Sequence, residues 1–403
     1  MSRDPTTRSG AQRDGSAGQA WALFADAVRD LPEILQRPDT PLSELDVAEA
    51  YRHFGRLVTL ALQNYVHHAD ANFPSFRRLG PETKFGGENP DVLYQSATLD
   101  GNGSYRITGT RGSCLYLEFT VASGFAGMDK PPRVISRMLS DELEVDDSGR
   151  FELVLSAAPV EGNWLRLEPD ADALMVRHIF NDWETEEAAT LRIVRIGNEG
   201  ALRPVLKTQD AALGLESAAR FVTSQARVWI EYVDTCRKKQ PPNTFEPPPP
   251  PSSGLLGSQS FFSLGYFDLK DEEALVIEIP ASTEGYLGLQ LTNFWWFESL
   301  EYANRITSLN GHQSHVSSDG SIRYVVAHRD PGVPNWLDTE GHREGIMIFR
   351  WALVDSAPTP QTRVVRFDEI RSALPSDTPE VSAATRREEI RRRGAHVSRR
   401  FAI

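Results

Sequence analysis

Short runs of β-type composition, separated by turn residues, recur along the chain after Pro90 and limit the folds that it can adopt. The tetrapeptide Asp100-Gly101-Asn102-Gly103 is a hairpin signal beside the first of them. The runs are Ser104–Thr108, Cys114–Val121, Arg150–Ser156, Phe261–Leu269, Ala274–Ile279, Leu287–Leu291, Arg323–His328 and Gly345–Leu353. Strands at such short intervals, with few helices between them, are typical of antiparallel sandwiches and jelly rolls.

Helical periodicity appears on both sides of the first group of strands. Residues 19–36 repeat apolar side chains at helical spacing, and a second helix is predicted to begin at Pro41. A long amphipathic helix is predicted from Asp210 to Cys236, and a short helical stretch around Ile179–Ala189. The sequence therefore predicts a β-dominated α+β fold, with antiparallel jelly-roll-like sandwiches, an N-terminal helical layer and accessory helices.

A proline-rich stretch separates two β-rich halves. Residues 240–254 contain five consecutive prolines at 247–251, which favour polyproline II geometry and a semi-rigid spacer, with an SH3-type ligand as the alternative. The length of 403 residues suits two or three domains. The predicted organisation is a disordered N-terminus (1–18), a helical layer with the first β-rich domain (19–239), the linker (240–254), a second β-rich domain (255–375) and a basic helical tail (376–403).

Charge is unevenly distributed along the chain. The net charge is −13, yet seven arginines and two glutamates give residues 383–403 a net charge of +5, which leaves −18 on the remainder. An acidic body repels phosphate backbones, so no general nucleic-acid binding is predicted. Two interpretations of the basic tail stay open. In the first, the tail contacts an anionic membrane surface or RNA. In the second, it docks on the acidic body of its own chain or of a neighbouring copy in a homo-oligomer. The charge of the acidic body favours docking.

Several protein classes are disfavoured by what the sequence lacks. Two cysteines are too few for a disulfide scaffold. The sequence shows neither the apolar h-region of a secretory signal nor the run of about 20 apolar residues that a membrane span needs. A cytoplasmic location is therefore expected. Nucleotide-binding glycine motifs, a G-x-S-x-G elbow and H-E-x-x-H are missing, so no cofactor is assigned. His312, His315, His328 and His342 lie close in sequence but without ligand spacing, which favours separate hydrogen-bonding histidines and no metal site. The alternative is metal-dependent catalysis, which requires at least three of them to converge with a carboxylate.

Residues 330–338, DPGVPNWLD, form the most distinctive polar loop. Two prolines and a glycine fix the backbone, and rigid loops on a β scaffold often carry binding groups. Asp330, Asn335 and Trp336 are therefore candidate ligand-binding residues, and Asp338 is a candidate general acid or base. The alternative is an ordered corner in which Trp336 fills the core and Asp338 accepts hydrogen bonds from backbone amides.

A second polar turn, residues 85–94, offers an amide, an acid and a phenol at Asn89, Asp91 and Tyr94. Arg111 follows on the next hairpin and could hold a carboxylate or phosphate. In the second half, the aromatic run 294–297 is interpreted as core, with a ligand contact as the alternative, and Arg305 could meet an anion beside it.

Residues 89–112, NPDVLYQSATLDGNGSYRITGTRG, resemble the N-P-D-x-x-Y…Y-R-(I/V)-x-G-x-R-G pattern of bacterial proteins that carry domain of unknown function 1214. DPGVPNWLDT at 330–339, the pair Arg350-Trp351 and residues 163–186 are similar to other blocks of that family. The resemblance covers most of residues 80–355. It implies a β-dominated fold with jelly-roll-like sandwiches, and it makes the matching polar positions of the two loops candidate functional residues.

Two functional hypotheses follow from these residues. The first is an enzyme that acts on a small, partly apolar organic molecule with an anionic group, in a cleft between the β-rich halves. Its candidate catalytic residues are Asp338, Asp91, His342 and Tyr94, and its candidate ligand-binding residues are Asn89, Arg111, Arg305, Asp330, Asn335 and Trp336. The second is a non-catalytic module that binds a carbohydrate, lipid-like or peptide ligand in the same cleft. Perturbed pKa values inside the cleft would favour catalysis, and exposed aromatic rings without them would favour binding.

Overall fold

The computed structural model describes residues 15–37, 43–249, 260–281 and 284–402. Most of the predicted disordered segment 1–18, the predicted helix start at Pro41 and the end of the proline run lie outside these residues. The first helix begins at Gly15, so residues 15–18 are helical rather than disordered.

The first β-sandwich is formed by the half of the chain that precedes the proline-rich stretch. Its strands are β1 (Arg77–Leu79), β2 (Val92–Thr98), β3 (Tyr105–Thr110), β4 (Tyr116–Ser123), β5 (Arg133–Leu139), β6 (Arg150–Ser156), β7 (Trp164–Arg166), β8 (Ala173–Ile179) and β9 (Thr190–Arg195). Sheet I has the order β1-β2-β8-β4-β5, and sheet II has the order β7-β6-β3-β9. Their facing sides enclose one apolar core, because alternate residues such as Phe151 and Leu153 point inward.

The second β-sandwich repeats this arrangement in the other half. Its strands are β10 (Thr244–Phe245), β11 (Ser260–Asp268), β12 (Glu273–Pro280), β13 (Tyr286–Asn293), β14 (Ser308–Asn310), β15 (Ser321–Ala327), β16 (Trp336–Asp338), β17 (Glu344–Ala352) and β18 (Gln361–Arg366). Sheet III has the order β10-β11-β17-β13-β14, and sheet IV has the order β16-β15-β12-β18. The β-dominated α+β prediction is confirmed, whereas jelly-roll connectivity stays a prediction.

The helices are α1 (Gly15–Arg29), α2 (Glu44–Leu62), α3 (Thr208–Lys239), α4 (Ile370–Ala373) and α5 (Ala383–Phe401). The first three form a layer whose apolar face, including Leu57 and Phe221, packs on Leu264 and Ile348 of sheet III. The helical layer therefore contacts the second sandwich, across the predicted domain boundary. No helix in the described part of the chain is long and apolar enough to cross a membrane.

Some local predictions need correction. Residues 179–189 are not helical, because Ile179 ends β8 and a turn follows. Within the predicted linker, Thr244 and Phe245 form β10, which pairs with β11, so the start of that segment belongs to sheet III. The aromatic run 294–297 follows β13 as a turn and is fully buried, as the core interpretation expected.

The basic helix α5 docks on its own chain, between the two sandwiches. Three arginines at a seven-residue spacing, Arg386, Arg393 and Arg400, lie on one helix face and are each at most 9% exposed. Arg386 pairs with Asp330, at 2.9 Å from Nε to Oδ2, and Arg393 donates to the carbonyl oxygen of Tyr302 at 3.1 Å. Both contacts fix the helix to the second sandwich.

Arg400 reaches the first sandwich. Its guanidinium donates to the carbonyl oxygen of Pro90 and to Nε2 of His396, and it lies over the rings of Phe180 and Trp183. One face of α5 therefore joins both β-rich halves, and docking within the chain is confirmed. A role of the tail in a homo-oligomer stays a prediction.

Replacement of Arg400 by methionine should lower the free energy of unfolding by about 3 kcal/mol, because the Pro90 carbonyl loses its donor and a nearby buried carboxylate loses a compensating charge. Arg391→Met is the matched control. Arg391 is exposed and pairs with Glu388 on the same helix, so a far smaller change is expected. Chemical denaturation measures both, and equal values for the two variants would contradict the bridging role of α5.

Candidate functional site

A cavity of about 260 Å³ lies between the two sandwiches. It is enclosed by the outer face of sheet I, the end of sheet III near Phe262, and helices α2 and α3. On β2 and β8, Tyr94 and Arg177 point into it because their neighbours Leu93 and Val176 point into the sandwich core. We call this space the inter-sandwich cavity.

Aromatic side chains form much of its wall. They are Phe85, Tyr94, Tyr116, Phe125, Trp229, Phe261, Phe262, Tyr286 and Trp351. A few polar groups interrupt this apolar surface, among them Asn89 and three arginines, Arg77, Arg177 and Arg350. An apolar enclosure with a few placed polar groups is the usual composition of a small-molecule site.

Two adjacent glycines bring the backbone close to this wall. Gly86 and Gly87 have φ values of 65° and 64°, in the left-handed region that favours glycine. A Cβ at Gly86 would lie 2.7 Å from the Trp229 ring, and one at Gly87 would lie 2.5 Å from the ring of Phe297. The Phe85-Gly86-Gly87 sequence is therefore required for the aromatic wall to close.

Polar atoms of three cavity residues are buried without a hydrogen-bond partner in the described structure. They are the indole Nε1 of Trp229, Oδ1 of Asn64 and Oε1 of Gln95. An unsatisfied buried polar atom costs about 1–3 kcal/mol, so a water molecule or a ligand is expected to supply the missing partners.

The arginines of the cavity differ in how their charge is compensated. Arg177 pairs with the buried Glu118, at 2.7 Å. Arg350 donates to neutral acceptors, the side-chain oxygen of Gln290 and the carbonyl oxygen of Gly87, and lies over the Phe262 ring. Within the described residues Arg350 has no carboxylate partner, so its positive charge is not neutralised by the wall of the cavity.

Asp91, a predicted catalytic residue, is buried next to the cavity and not in its lining. Its oxygens accept hydrogen bonds from Trp183 Nε1 and Tyr286 Oη, both at 2.7 Å, and from Asn310 Nδ2 at 3.0 Å. Burial raises the pKa of Asp91, while Tyr286 and the charge of Arg400 offset part of that rise. The Asp91 carboxylate therefore links the two sandwiches through hydrogen bonds to both, and it is too buried to contact a substrate.

Asn89 and Tyr94 are the two predicted site residues that line the inter-sandwich cavity. The backbone N–H of Asn89 donates to Tyr94 Oη at 3.1 Å, and Asn89 Nδ2 donates to Tyr286 Oη at 2.8 Å. The hydroxyl of Tyr94 accepts this hydrogen bond, so its own proton remains available for a ligand. Asn89 and Tyr94 therefore face the inter-sandwich cavity, and their functional role stays a prediction.

The loop 330–338 lies elsewhere and is an ordered corner. Trp336 is buried and its indole N–H donates to the Ala327 carbonyl oxygen at 3.0 Å, while Asn335 holds the backbone of His315 through two hydrogen bonds. The carboxylate of Asp338 accepts from Arg305 at 2.6 Å and from the backbone N–H of Glu340. The two polar loops do not both line the inter-sandwich cavity, so the structure does not bring their predicted side chains together there.

A second, polar cavity of about 360 Å³ lies where α5 meets both sandwiches. Asn335, His312 and His315 line it, together with Asp182 and Arg386. Acidic and basic side chains alternate around it, and several pair across it, such as Arg392 with Glu184 at 2.8 Å. Among the residues that the structure describes, no group of three His, Cys, Asp or Glu side chains is arranged to hold a metal ion.

The remaining predicted ligand contact is also structural. Arg111 donates to Ser140 Oγ at 3.2 Å and to the Leu115 carbonyl oxygen, which places it within the first sandwich and outside both cavities. His328 likewise bonds to Thr339 and to the Leu269 carbonyl oxygen.

His342 joins the second sandwich to α2 instead of lining the cavity. Its Nε2 lies 3.2 Å from Glu49 and its Nδ1 lies 3.5 Å from Asp46. Burial lowers the pKa of His342, but the two carboxylates outweigh it and raise the pKa to about 9. The pKa of Glu49, which burial alone would raise, falls to about 2 because His342, Asn293 and Arg52 stabilise the charged form.

This cluster predicts a pH dependence of stability. The contribution of protonated His342 is complete below its usual pKa of 6.5 and is lost as pH rises through about 9. His342→Gln should therefore lower the free energy of unfolding by about 3 kcal/mol at pH 6 and by much less at pH 10. Denaturation at both pH values measures the difference.

The control is His312→Gln, at a histidine whose side chain is 54% exposed. It should change stability little at either pH. If His342→Gln lowers the free energy of unfolding equally at pH 6 and pH 10, the ion pairs of His342 are not the source of its contribution to stability.

Several cavity residues escaped prediction. Arg350 interrupts an apolar strand, and a lone charge inside such a strand is a signal that it lines a site. Trp229 lies on the amphipathic helix, where an aromatic residue is indistinguishable from core. Arg77 and Asn64 have no local pattern at all, because their place depends on how the helical layer meets sheet I.

Comparison with known proteins agrees with this two-sandwich architecture. No protein-family model matches the chain, and no curated protein matches it. The crystal structure of an uncharacterized protein from Burkholderia cenocepacia has 35% sequence identity and a TM-score of 0.81, with 88% of this chain and 98% of that chain covered. The chain belongs to the same protein family as that Burkholderia cenocepacia protein.

Two further solved structures are more distant. A Vibrio parahaemolyticus protein has 12% identity and a TM-score of 0.48, covering 80% of this chain and 100% of that chain. Salicylate 1,2-dioxygenase from Pseudoaminobacter salicylatoxidans has 12% identity and a TM-score of 0.21, covering 90% of this chain and 98% of that chain. Both superpositions are too loose to bear on the fold or function of this protein.

Proposed function

We propose that this protein binds a small, partly apolar organic molecule in the inter-sandwich cavity. The observation that carries the proposal is the combination of an aromatic wall with the unsatisfied polar atoms of Trp229, Asn64 and Gln95. Apolar walls supply the driving force for binding, and the unsatisfied groups supply orientation. The volume of about 260 Å³ is below the range of about 300–1,000 Å³ of drug-sized sites, so the ligand is small.

Binding without catalysis fits the cavity better than an enzyme does. Of the four candidate catalytic residues, Tyr94 alone lines the cavity, while Asp338 and His342 form ion pairs elsewhere and Asp91 is enclosed. Burial raises the pKa of Glu88, a carboxylate of the wall, which by itself would favour catalysis. However, Glu88 already accepts hydrogen bonds from the hydroxyl of Ser299 and the backbone N–H of Phe85. The acid–base set of the enzyme hypothesis is therefore not assembled around one point.

A thermal-shift screen of small aromatic and branched aliphatic acids, alcohols and amides tests the proposal. A ligand present at a hundredfold excess over its Kd should stabilise the protein by about 2.7 kcal/mol. Ser96→Trp should abolish the shift, because Ser96 is a small residue of the cavity wall and the indole would fill the space.

Ser321→Trp is the matched control, since Ser321 is a half-buried serine on β15 outside the cavity. It should keep the ligand-induced shift. Absence of any hit with the unmodified protein, or a shift that survives Ser96→Trp in a folded variant, would contradict the proposal.

Three other predictions stay proposals. The first is that the protein belongs to the family with domain of unknown function 1214, which the resemblance of residues 89–112 and 330–339 to blocks of that family supports. A cytoplasmic location is consistent with the sequence, and a homo-oligomer through α5 would have to use its solvent-facing side, around Arg387 and Arg391.

A further inference from the structure

The inter-sandwich cavity contains one arginine with no partner. Arg77 is the first residue of β1, the edge strand of sheet I, where it lies opposite Ser96 of β2. Its side chain lines the cavity beside Leu60 and Asn64 of the helical layer. No hydrogen bond or ion pair from its guanidinium reaches any residue that the structure describes, unlike Arg177, which pairs with Glu118.

The surroundings of Arg77 offer no compensating charge. Burial lowers its pKa to about 10, so the environment opposes the charged form while leaving it protonated at neutral pH. The neighbouring phenol of Tyr65 has a pKa that burial raises to about 12, so it stays neutral. Since no anionic group of the described residues pairs with this half-buried guanidinium, a bound anion would stabilise its charged form.

We infer that Arg77 binds the carboxylate of the cavity's ligand, and that the ligand is a small aromatic carboxylic acid. The inference rests on the proposed function and assigns the chemical class of its ligand. The planar guanidinium has donors that match the two oxygens of a carboxylate. The aromatic wall, with Phe85, Phe125 and Trp229, would contact the ring of the acid.

A carboxylate suits the cavity better than a phosphate. A phosphate monoester brings nearly two negative charges at neutral pH. Two arginines of the wall have no carboxylate partner, and they lie on different sheets: Arg77 on sheet I and Arg350 on sheet III. Arg350 already donates hydrogen bonds to Gln290 and to the Gly87 carbonyl oxygen. Arg77 is the arginine of this wall whose donors have no partner among the described residues, and one carboxylate matches its single charge.

Calorimetric titration with 3-phenylpropionate, its uncharged amide and phenyl phosphate tests the inference. The unmodified protein should bind 3-phenylpropionate about ten- to a hundredfold more tightly than the amide, and more tightly than phenyl phosphate. Arg77→Gln should remove the preference for the acid and leave affinity for the amide unchanged. Arg77→Lys should keep part of the preference, because the charge remains without the planar fork.

Arg78→Gln is the control, because Arg78 follows directly on the same strand and lies outside the cavity lining. It should leave all three affinities unchanged. Without ligand, Arg77→Gln should unfold at the same temperature as the unmodified protein or higher, because it removes an uncompensated charge. A merely structural arginine would instead lower that temperature.

The outcomes separate the two proposals. Equal binding of acid and amide, or an unchanged preference in Arg77→Gln, would overturn the carboxylate inference while the binding function stands. Tighter binding of phenyl phosphate would also overturn it. Binding that Ser96→Trp does not affect would place the ligand outside the cavity and contradict the proposed function itself.

Discussion

One buried carboxylate connects the parts of this molecule. Asp91 accepts hydrogen bonds from Trp183 in the first half of the chain and from Tyr286 and Asn310 in the second. Arg400 of α5 donates to the carbonyl of the preceding residue, Pro90, and its charge stabilises the carboxylate. Since Tyr286 also bonds to Asn89 in the cavity wall, the shape of the inter-sandwich cavity depends on this junction.

The class of fold was predictable, but the site was not. Strand alternation and turn signals located eight of the eighteen strands in the described part of the chain, such as Arg150–Ser156, because that information is local. Asn89 and Tyr94, which the sequence singled out because their segment is polar and rigid, do line the cavity. Asp338 and Trp336 have the same local character, yet they form a corner, because whether a polar loop faces a cavity or a neighbour is decided by distant packing.

If the cavity binds a ligand as proposed, it does so at a cost in stability. A protein optimised for stability alone would pair Arg77 with a carboxylate or replace it by an apolar residue, and it would satisfy the Trp229 indole. Both groups remain uncompensated in an otherwise close-packed region of aromatic rings. Departures from local consistency of this kind are expected where a surface serves a ligand.

The position of α5 in the chain affects how the protein is made. Both sandwiches precede α5 in the order of synthesis, and the Arg400–Pro90 contact joins residues 310 positions apart. Until α5 leaves the ribosome, Phe180, Trp183 and the carboxylate of Asp91 have no arginine cover, even if each sandwich has already folded. The contact that joins α5 to both sandwiches can therefore form only after both β-rich halves have been synthesised.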